Sequence, residues 1–255
     1  MNPVRDGFTL RTLKVSNRMK TLPKKYTSSH TFWNAEYKKG GHLALSFTQS
    51  EDLEKFIRFL ERSYGRKYLN PIASVLDLGC GNGRNLIYLA GSFGMRGVGY
   101  DFSQEAISQA KRASEGLPLS YGVQSIADPL PLPDNSQTLV LDMMTSHFLN
   151  ANERKNLIAE ITRVLKPGGW FFFKTFLLDE DAHAKRLLRE NPAEEIGSYI
   201  HPIIGVAEHV FTEEEILEML AENFSVHKTS KSHRHKTPGH ANKRRSISVY
   251  AQKLG

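Results

Sequence analysis

Three glycines at alternate positions, Gly79, Gly81 and Gly83, follow an apolar run that closes on Val75-Leu76-Asp77-Leu78. Glycine takes positive φ without a Cβ penalty and lets a ligand lie against bare backbone, so a glycine turn at the carboxyl end of a strand forms a cradle for a nucleotide. A second acid, Asp101, closes the next apolar stretch, where a carboxylate can accept from both hydroxyls of a ribose. The spacing is not that of the dinucleotide fingerprint, which needs glycine at position 84, where Arg stands. Nor is it a phosphate loop, which needs Gly-Lys followed by Ser or Thr.

These residues need elements to hold them, and the chain supplies an alternation of strand and helix. A helix over 50–63 is capped by Ser50, carries Glu51 and Asp52 at the positive end of its dipole, and aligns Leu53, Phe56, Ile57 and Leu60 on one face before Gly65 stops it. The strand before the glycines leads into a helix from Asn85. Residues 94–101 form the second strand, and Ser103 caps a helix to about Glu115, with Phe102 and Ile107 spaced as a hydrophobic staple. Strands follow at 119–124 and 138–143, separated by the proline-stiffened stretch 126–134. A helix over 152–165 stops at Lys166-Pro167-Gly168-Gly169, and Trp170–Phe176 is apolar enough to be buried on both faces. Thr212 and Glu215 mark a capping box, with Phe211 and Ile216 as its staple, and strands at 224–229 and 246–252 end the chain. Such alternation predicts a parallel sheet with helices on both faces, and right-handed crossovers put all parallel carboxyl ends on one ligand-binding rim.

The run VLDLGCGNGRN over 75–85, with LKPGG over 165–169, closely resembles the class I S-adenosylmethionine (SAM) methyltransferases, and the resemblance extends over about residues 70–252. It implies a Rossmann-like, doubly wound α/β fold whose mostly parallel seven-stranded sheet ends in an antiparallel strand. It implies SAM as cofactor, with Asp77 near the donor's ammonium and Gly79, Cys80, Gly81, Asn82 and Gly83 along its amino-acid end. Asp101 falls on the ribose, Phe102 on the adenine, Asp128 near the adenine amino group with Ala127 beside it among the cofactor contacts, and Asp142 and Met143 where the methyl emerges. Family members usually carry Asp where this chain has Thr138, a departure away from the ligand-facing positions. The resemblance also implies an N-terminal lid within residues 26–66, with Trp33 and Tyr37 reaching the substrate. The domain proper then runs over 67–255.

Topology places two unusual segments over the same rim, the insert 177–210 and the basic loop 230–245. Their His201, His209, His233, Arg234 and His235 are the candidate substrate contacts. Histidine titrates near neutral pH, so one of these can serve as a base. They can equally be solvated loop residues, and their spacing does not match a metal motif, so no metal is expected. His147, directly after the fourth strand, is the candidate catalytic base. The expected reaction is methyl transfer to a small polar or anionic acceptor, with RNA as the alternative.

Charge distribution bears on that choice. Net charge is +7, with +6 over residues 1–25 and +7 over 228–245, leaving a body at −6. Basic ends on an acidic body fit an anionic partner near those ends, but no aromatic residue interleaves the run from Lys228 to Arg245, so base stacking has no support there. The first 25 residues read as a mobile tail; they are poor in acid like a transit peptide but lack its amphipathic face. No run reaches the ~18–20 apolar residues of a membrane span, so no membrane partner is expected. Cys80, the single cysteine, reads as a small residue filling the turn rather than a nucleophile. Without a possible internal disulfide, the chain is expected in a reducing, cytoplasmic compartment.

Overall fold

A computed structural model describes residues 29–39, 45–232 and 244–255. The basic stretch 1–25 and most of the loop 230–245, with His233, Arg234 and His235, lie outside the described residues. In chain order the strands are β1 (Ser74–Leu78), β2 (Arg96–Asp101), β3 (Leu119–Val123), β4 (Gln137–Met143), β5 (Leu165–Phe176), β6 (Ser198–Ile200), β7 (Ala207–His209), β8 (Phe224–Lys231) and β9 (Ser246–Lys253). The helices are α1 (Ser29–Lys39), α2 (Glu51–Tyr64), α3 (Arg84–Phe93), α4 (Gln104–Ala113), α5 (Ala151–Val164), α6 (Ala182–Glu190) and α7 (Glu213–Ala221).

Seven strands make one sheet in the order β3-β2-β1-β4-β5-β9-β8. The first five run parallel, and β9 is antiparallel to both of its neighbours, β5 and β8. The last strand of the sequence is therefore inserted between two others instead of forming the edge. The order reverses between β1 and β4, which opens a crevice at the carboxyl end of β1, where the glycines are.

Strand β5 shows why its sequence reads as one apolar run. Trp170 and Phe172 enter the core under α2, α3 and α4, while Phe171 and Phe173 enter the core under α5 and α7. Alternate residues of a strand face opposite ways, so a sheet covered on both faces needs apolar residues at every position. On α2, Ser50 caps the helix by accepting from Asp52 N, Gly65 (φ 60) ends it, and Leu53, Phe56, Ile57 and Leu60 are buried. Phe56 stacks on Phe172 at 4.9 Å between ring centroids. Burying a side chain of this size contributes about 1.5–3 kcal/mol.

Two caps differ in detail from their sequence pattern. Helix α5 is capped by Asn150 in a full capping box with Glu153, so it begins earlier than its apolar face suggests. Thr212 caps α7 by accepting from Glu215 N, but the Glu215 carboxylate is held by His209 Nε2 at 2.7 Å, so the reciprocal half of the box is given up. The insert after β5 is itself folded: α6 is followed by the β6–β7 hairpin, and Ala184, Leu187, Tyr199 and Val210 form a small core of their own.

Candidate functional site

The glycine turn is held against the neighbouring strand by its own backbone. Gly79 N and Cys80 N both donate to Tyr100 O, at 2.7 and 3.0 Å, and Gly83 N donates to Cys80 O at 3.0 Å. Gly79, Gly81 and Gly83 all have positive φ. At Gly79 (φ 68) an added Cβ would stand 2.2 Å from Thr145 Cγ2 and 2.8 Å from Thr145 Cβ. A side-chain rotation cannot move Thr145 Cβ away, so the turn and the 145–148 segment pack at a separation only glycine permits. Gly79→Ala is expected to cost about 2–4 kcal/mol, from left-handed backbone strain plus overpacking. The double variant Gly79→Ala/Thr145→Ala should recover part of that loss in thermal unfolding.

Asp101 joins the turn to β2. Its Oδ2 accepts from Gly81 N at 3.0 Å and its Oδ1 from Ser103 N at 2.8 Å. A carboxylate offers about four lone-pair positions, so acceptor capacity remains for a ligand. Burial pushes its carboxyl above the usual range, and the two backbone N–H groups oppose this. Asp77 is 2% exposed, and its Oδ2 has no hydrogen-bond partner. Burial pushes the Asp77 carboxyl up to about 8; Arg84 draws it down, and Asp101 and Asp142 add to the rise. A buried acceptor left without a partner is costly unless a ligand supplies one.

Two cavities meet over this turn. The first, of about 200 Å³, is walled by Asp77, Cys80, Asn82, Arg84, Asn85 and Met143 on the sheet side and by Trp33, Tyr37, Leu45 and Ser46 from the N-terminal segment. The second, of about 210 Å³, is walled by Gln124, Ser125, Ile126, Ala127, Leu149 and Glu153. They share Gly79, Asp101, Phe102, Thr145 and Phe148, so one cleft runs from Asp77 past Asp101 to Ala127. Helix α1 is tied over it: Asn34 Oδ1 accepts from Ser103 Oγ at 3.0 Å, and Gln109 Nε2 donates to Tyr37 O at 2.6 Å. Phe32 is fully buried, and Trp33 meets Phe148 edge to face at 5.7 Å. Met144, on the same wall, holds a left-handed backbone (φ 66), an uncommon conformation for a residue with a side chain.

Of the residues singled out from sequence, Asp77, Gly79, Cys80, Gly81, Asn82, Asp101, Phe102, Ala127, Met143, Trp33 and Tyr37 line this cleft. Others are placed elsewhere. Gly83 caps α3 and packs beneath Tyr121 and Ala110. Asp128 is exposed and lines neither cavity. Asp142 is 1% exposed and turned inward, where it accepts from Ser146 N at 3.2 Å. Burial pushes its carboxyl up to about 6 against that bond.

The histidines are also turned away. His209 lies between Ser198 Oγ at 2.9 Å and Glu215, binding the hairpin to α7. The His201 ring accepts from the backbone of Ile203 and Ile204 in its own turn. His147 is buried and lines neither cavity. Its ring lies 5.1 Å from that of Phe176, and burial lowers its pKa to about 4. A general base must come within hydrogen-bond reach of the proton it takes, and an imidazole off the cleft wall gives that expectation no geometric support. Conversely, Arg84, Asn85, Thr145 and Phe148 line the cleft but were not singled out by their sequence spacing.

An α/β sheet of this order, with an acid-flanked glycine turn at its switch point, is the arrangement of a nucleotide-binding fold, whose crevice opens at the carboxyl ends of β1 and β2. A family model described as a methyltransferase domain matches residues 75–169. An uncharacterised methyltransferase of Synechocystis is 37% identical over 103 residues, covering 40% of this chain and 47% of its own length. A fatty-acid O-methyltransferase of Mycolicibacterium smegmatis is 27% identical over 168 residues, covering 63% of this chain and 60% of its own. The aligned stretches thus span about half to three-fifths of these curated relatives. The crystal structure of a SAM-dependent methyltransferase from Methanosarcina mazei superposes with a TM-score of 0.62 at 28% identity, covering 74% of this chain and 96% of that one. Residues 75–169 are thus a methyltransferase domain, and the fold around them is that of SAM-dependent methyltransferases.

Proposed function

We propose that this chain binds SAM in the cleft and directs its methyl group to a small acceptor at the mouth formed by Trp33, Met144 and Phe148. The observation that carries the reading is the pair of buried carboxylates around the glycine turn, Asp77 with an oxygen lacking a partner and Asp101 braced by Gly81 N–H. These groups suit a ligand that joins an ammonium to a ribose, and Phe102, Ile126 and Ala127 provide an apolar wall for its base. When bound, SAM supplies an electrophilic methyl group on a sulfonium. The protein supplies orientation and exclusion of water, the latter through Trp33 and Tyr37 of α1.

The acceptor class follows from what the wall offers. Among the described residues no histidine lines the cleft, and Asp101 is held by backbone donors. The fitting acceptor therefore brings its own lone pair at neutral pH, as a carboxylate oxygen does. The aromatic and methionine side chains at the mouth favour an apolar body behind that group. RNA fits less well. Of the described cations in the basic stretch, Lys231 pairs with Glu213, Arg244 with Glu208 and Arg245 with Glu180, and Lys228 lies over the Tyr250 ring. Cations already compensated are poorly available to phosphates. No helix among the described residues is long and apolar enough to cross a membrane. Incubation with methyl-labelled SAM and cell extract split into metabolite, protein and RNA pools should label the metabolite pool; label confined to RNA would overturn the acceptor assignment.

A further inference from the structure

Resting on the reading of the cleft as a SAM site with a carboxylate acceptor at its mouth, we propose that Met144 determines acceptor specificity: it admits acids that are unbranched beside the carboxyl group and excludes branched ones. Among the described residues, nine glycines and three other residues hold a positive φ. Of those three, Asn135 and Glu180 are exposed turn residues that line neither cavity. Met144 (φ 66) is half-buried on the cleft wall. A left-handed backbone is costly for a residue with a Cβ, and glycine would hold it without that cost. Such outliers persist where the surroundings fix them, and they cluster at ligand sites.

The conformation has a geometric result. Successive residues of a strand face opposite ways, so Met143 and Met144 would part if β4 simply continued. The left-handed turn instead puts both on the wall of one cavity, beside Trp33 and Phe148. Met144 N donates to Lys174 O at 2.8 Å, which pins the turn to β5 and keeps Met144 from retreating. Trp33 and Phe148 already touch, at 5.7 Å between ring centroids, so the opening cannot widen on their side without parting them. The cavities, of about 200 and 210 Å³, lie together low in the ~300–1,000 Å³ range of small-molecule sites, and under this reading the donor fills most of that space. What is left at the mouth suits a carboxyl group and one methylene; a methyl branch on that carbon would strike the Met144 side chain. The competing role for Met144 is packing alone.

Transfer of labelled methyl from SAM to octanoate and to 2-methyloctanoate, measured as kcat/KM with the full chain, separates the two roles, because the acids differ by one branch beside the carboxyl. The wild type should prefer octanoate by at least about 10-fold, the discrimination a pocket gives to a single carbon. Met144→Gly should bring the ratio within about threefold, chiefly by gain on the branched acid. Its thermal midpoint should stand at or above that of the wild type, since glycine adopts this backbone freely. Met144→Leu, which keeps the bulk, should keep the preference. A wild-type ratio near one, or a ratio unchanged in Met144→Gly, overturns the proposal. So does equal slowing of both acids with a lowered midpoint, which would mark Met144 as a packing residue only. A wild type that binds S-adenosylhomocysteine but methylates neither acid overturns the carboxylate-acceptor reading and this proposal with it; one that does not bind S-adenosylhomocysteine overturns the donor-site reading itself.

Discussion

Asp77→Ala combined with Asp101→Ala should leave no measurable SAM affinity, yet the two substitutions should act by different routes. Each removes a charge-assisted contact worth about 1.5–3 kcal/mol, so together they predict a loss of roughly 10²- to 10⁴-fold or more. Asp101 also holds Gly81 N–H and Ser103 N–H, so Asp101→Ala frees two buried donors and should lower the thermal midpoint as well. Asp77 has the opposite effect on stability. Its carboxyl is raised to about 8 from an ordinary value of 3.8. A raised folded-state pKa means the native state retains the proton longer, so its contribution is fully present below the unfolded value and is lost as pH rises toward 8. Asp77→Asn is therefore expected to raise the thermal midpoint of the ligand-free protein at pH 8 while weakening SAM binding by about 10- to 100-fold. This would be stability given up for function, visible by scanning calorimetry and titration on the same sample. Micromolar SAM affinity in the double variant would contradict the site assignment; a lower midpoint for Asp77→Asn at pH 8 would contradict the account of its burial.

The elements that carry the cleft were readable because their determinants are local. Ser50 with the stripe Leu53, Phe56, Ile57 and Leu60, and the two-sided apolar run at 170–173, each state period and burial within a few residues. The glycines with Asp77 and Asp101 combine turn chemistry with strand ends, and both acids reach the cleft as expected. The positions that differ depend on contacts distant in sequence. Asp142 and Met143 are adjacent, and the pleat sends Met143 to the cleft and Asp142 beneath the 145–148 turn. Asp128 follows Ala127, yet only Ala127 reaches the wall. The insert histidines looked free because no motif announces their partners: His201 is engaged by the backbone of its own turn, and His209 by an acid six residues on. Glu215, which satisfies His209, belongs to the cap of a later helix, and Arg244, which pairs with Glu208, is 36 residues further on. Arg84 was read for the motif it breaks, and nothing in its spacing marked it as a residue of the cleft wall.

His147→Phe is expected to leave turnover within about threefold of wild type, against the ~100-fold or greater loss that removal of a general base brings. The phenyl ring would replace imidazole between Phe148, at 4.2 Å, and Phe176, at 5.1 Å, and would remove a buried Nδ1 that has no partner. Apolar replacement of an unsatisfied polar group is close to neutral or stabilising, so the protein should fold. The sizeable effect should appear in acid. Burial is the main cause holding the imidazole at about 4, against an ordinary 6.5; Glu208 pulls it up, while Arg244, His209 and His201 push it down. Here the folded-state pKa of a base is depressed, so between pH 6.5 and 4 the unfolded chain binds a proton that the native chain refuses. Stability then falls as pH drops through that window, by up to about 3 kcal/mol at 1.36 kcal/mol per pKa unit. Denaturant unfolding at pH 7 and pH 4.5 should show a steeper acid loss in the wild type than in His147→Phe, with the two curves converging above pH 7. Equal acid sensitivity would remove His147 as the cause, and a turnover collapse with SAM affinity intact would restore it as the base.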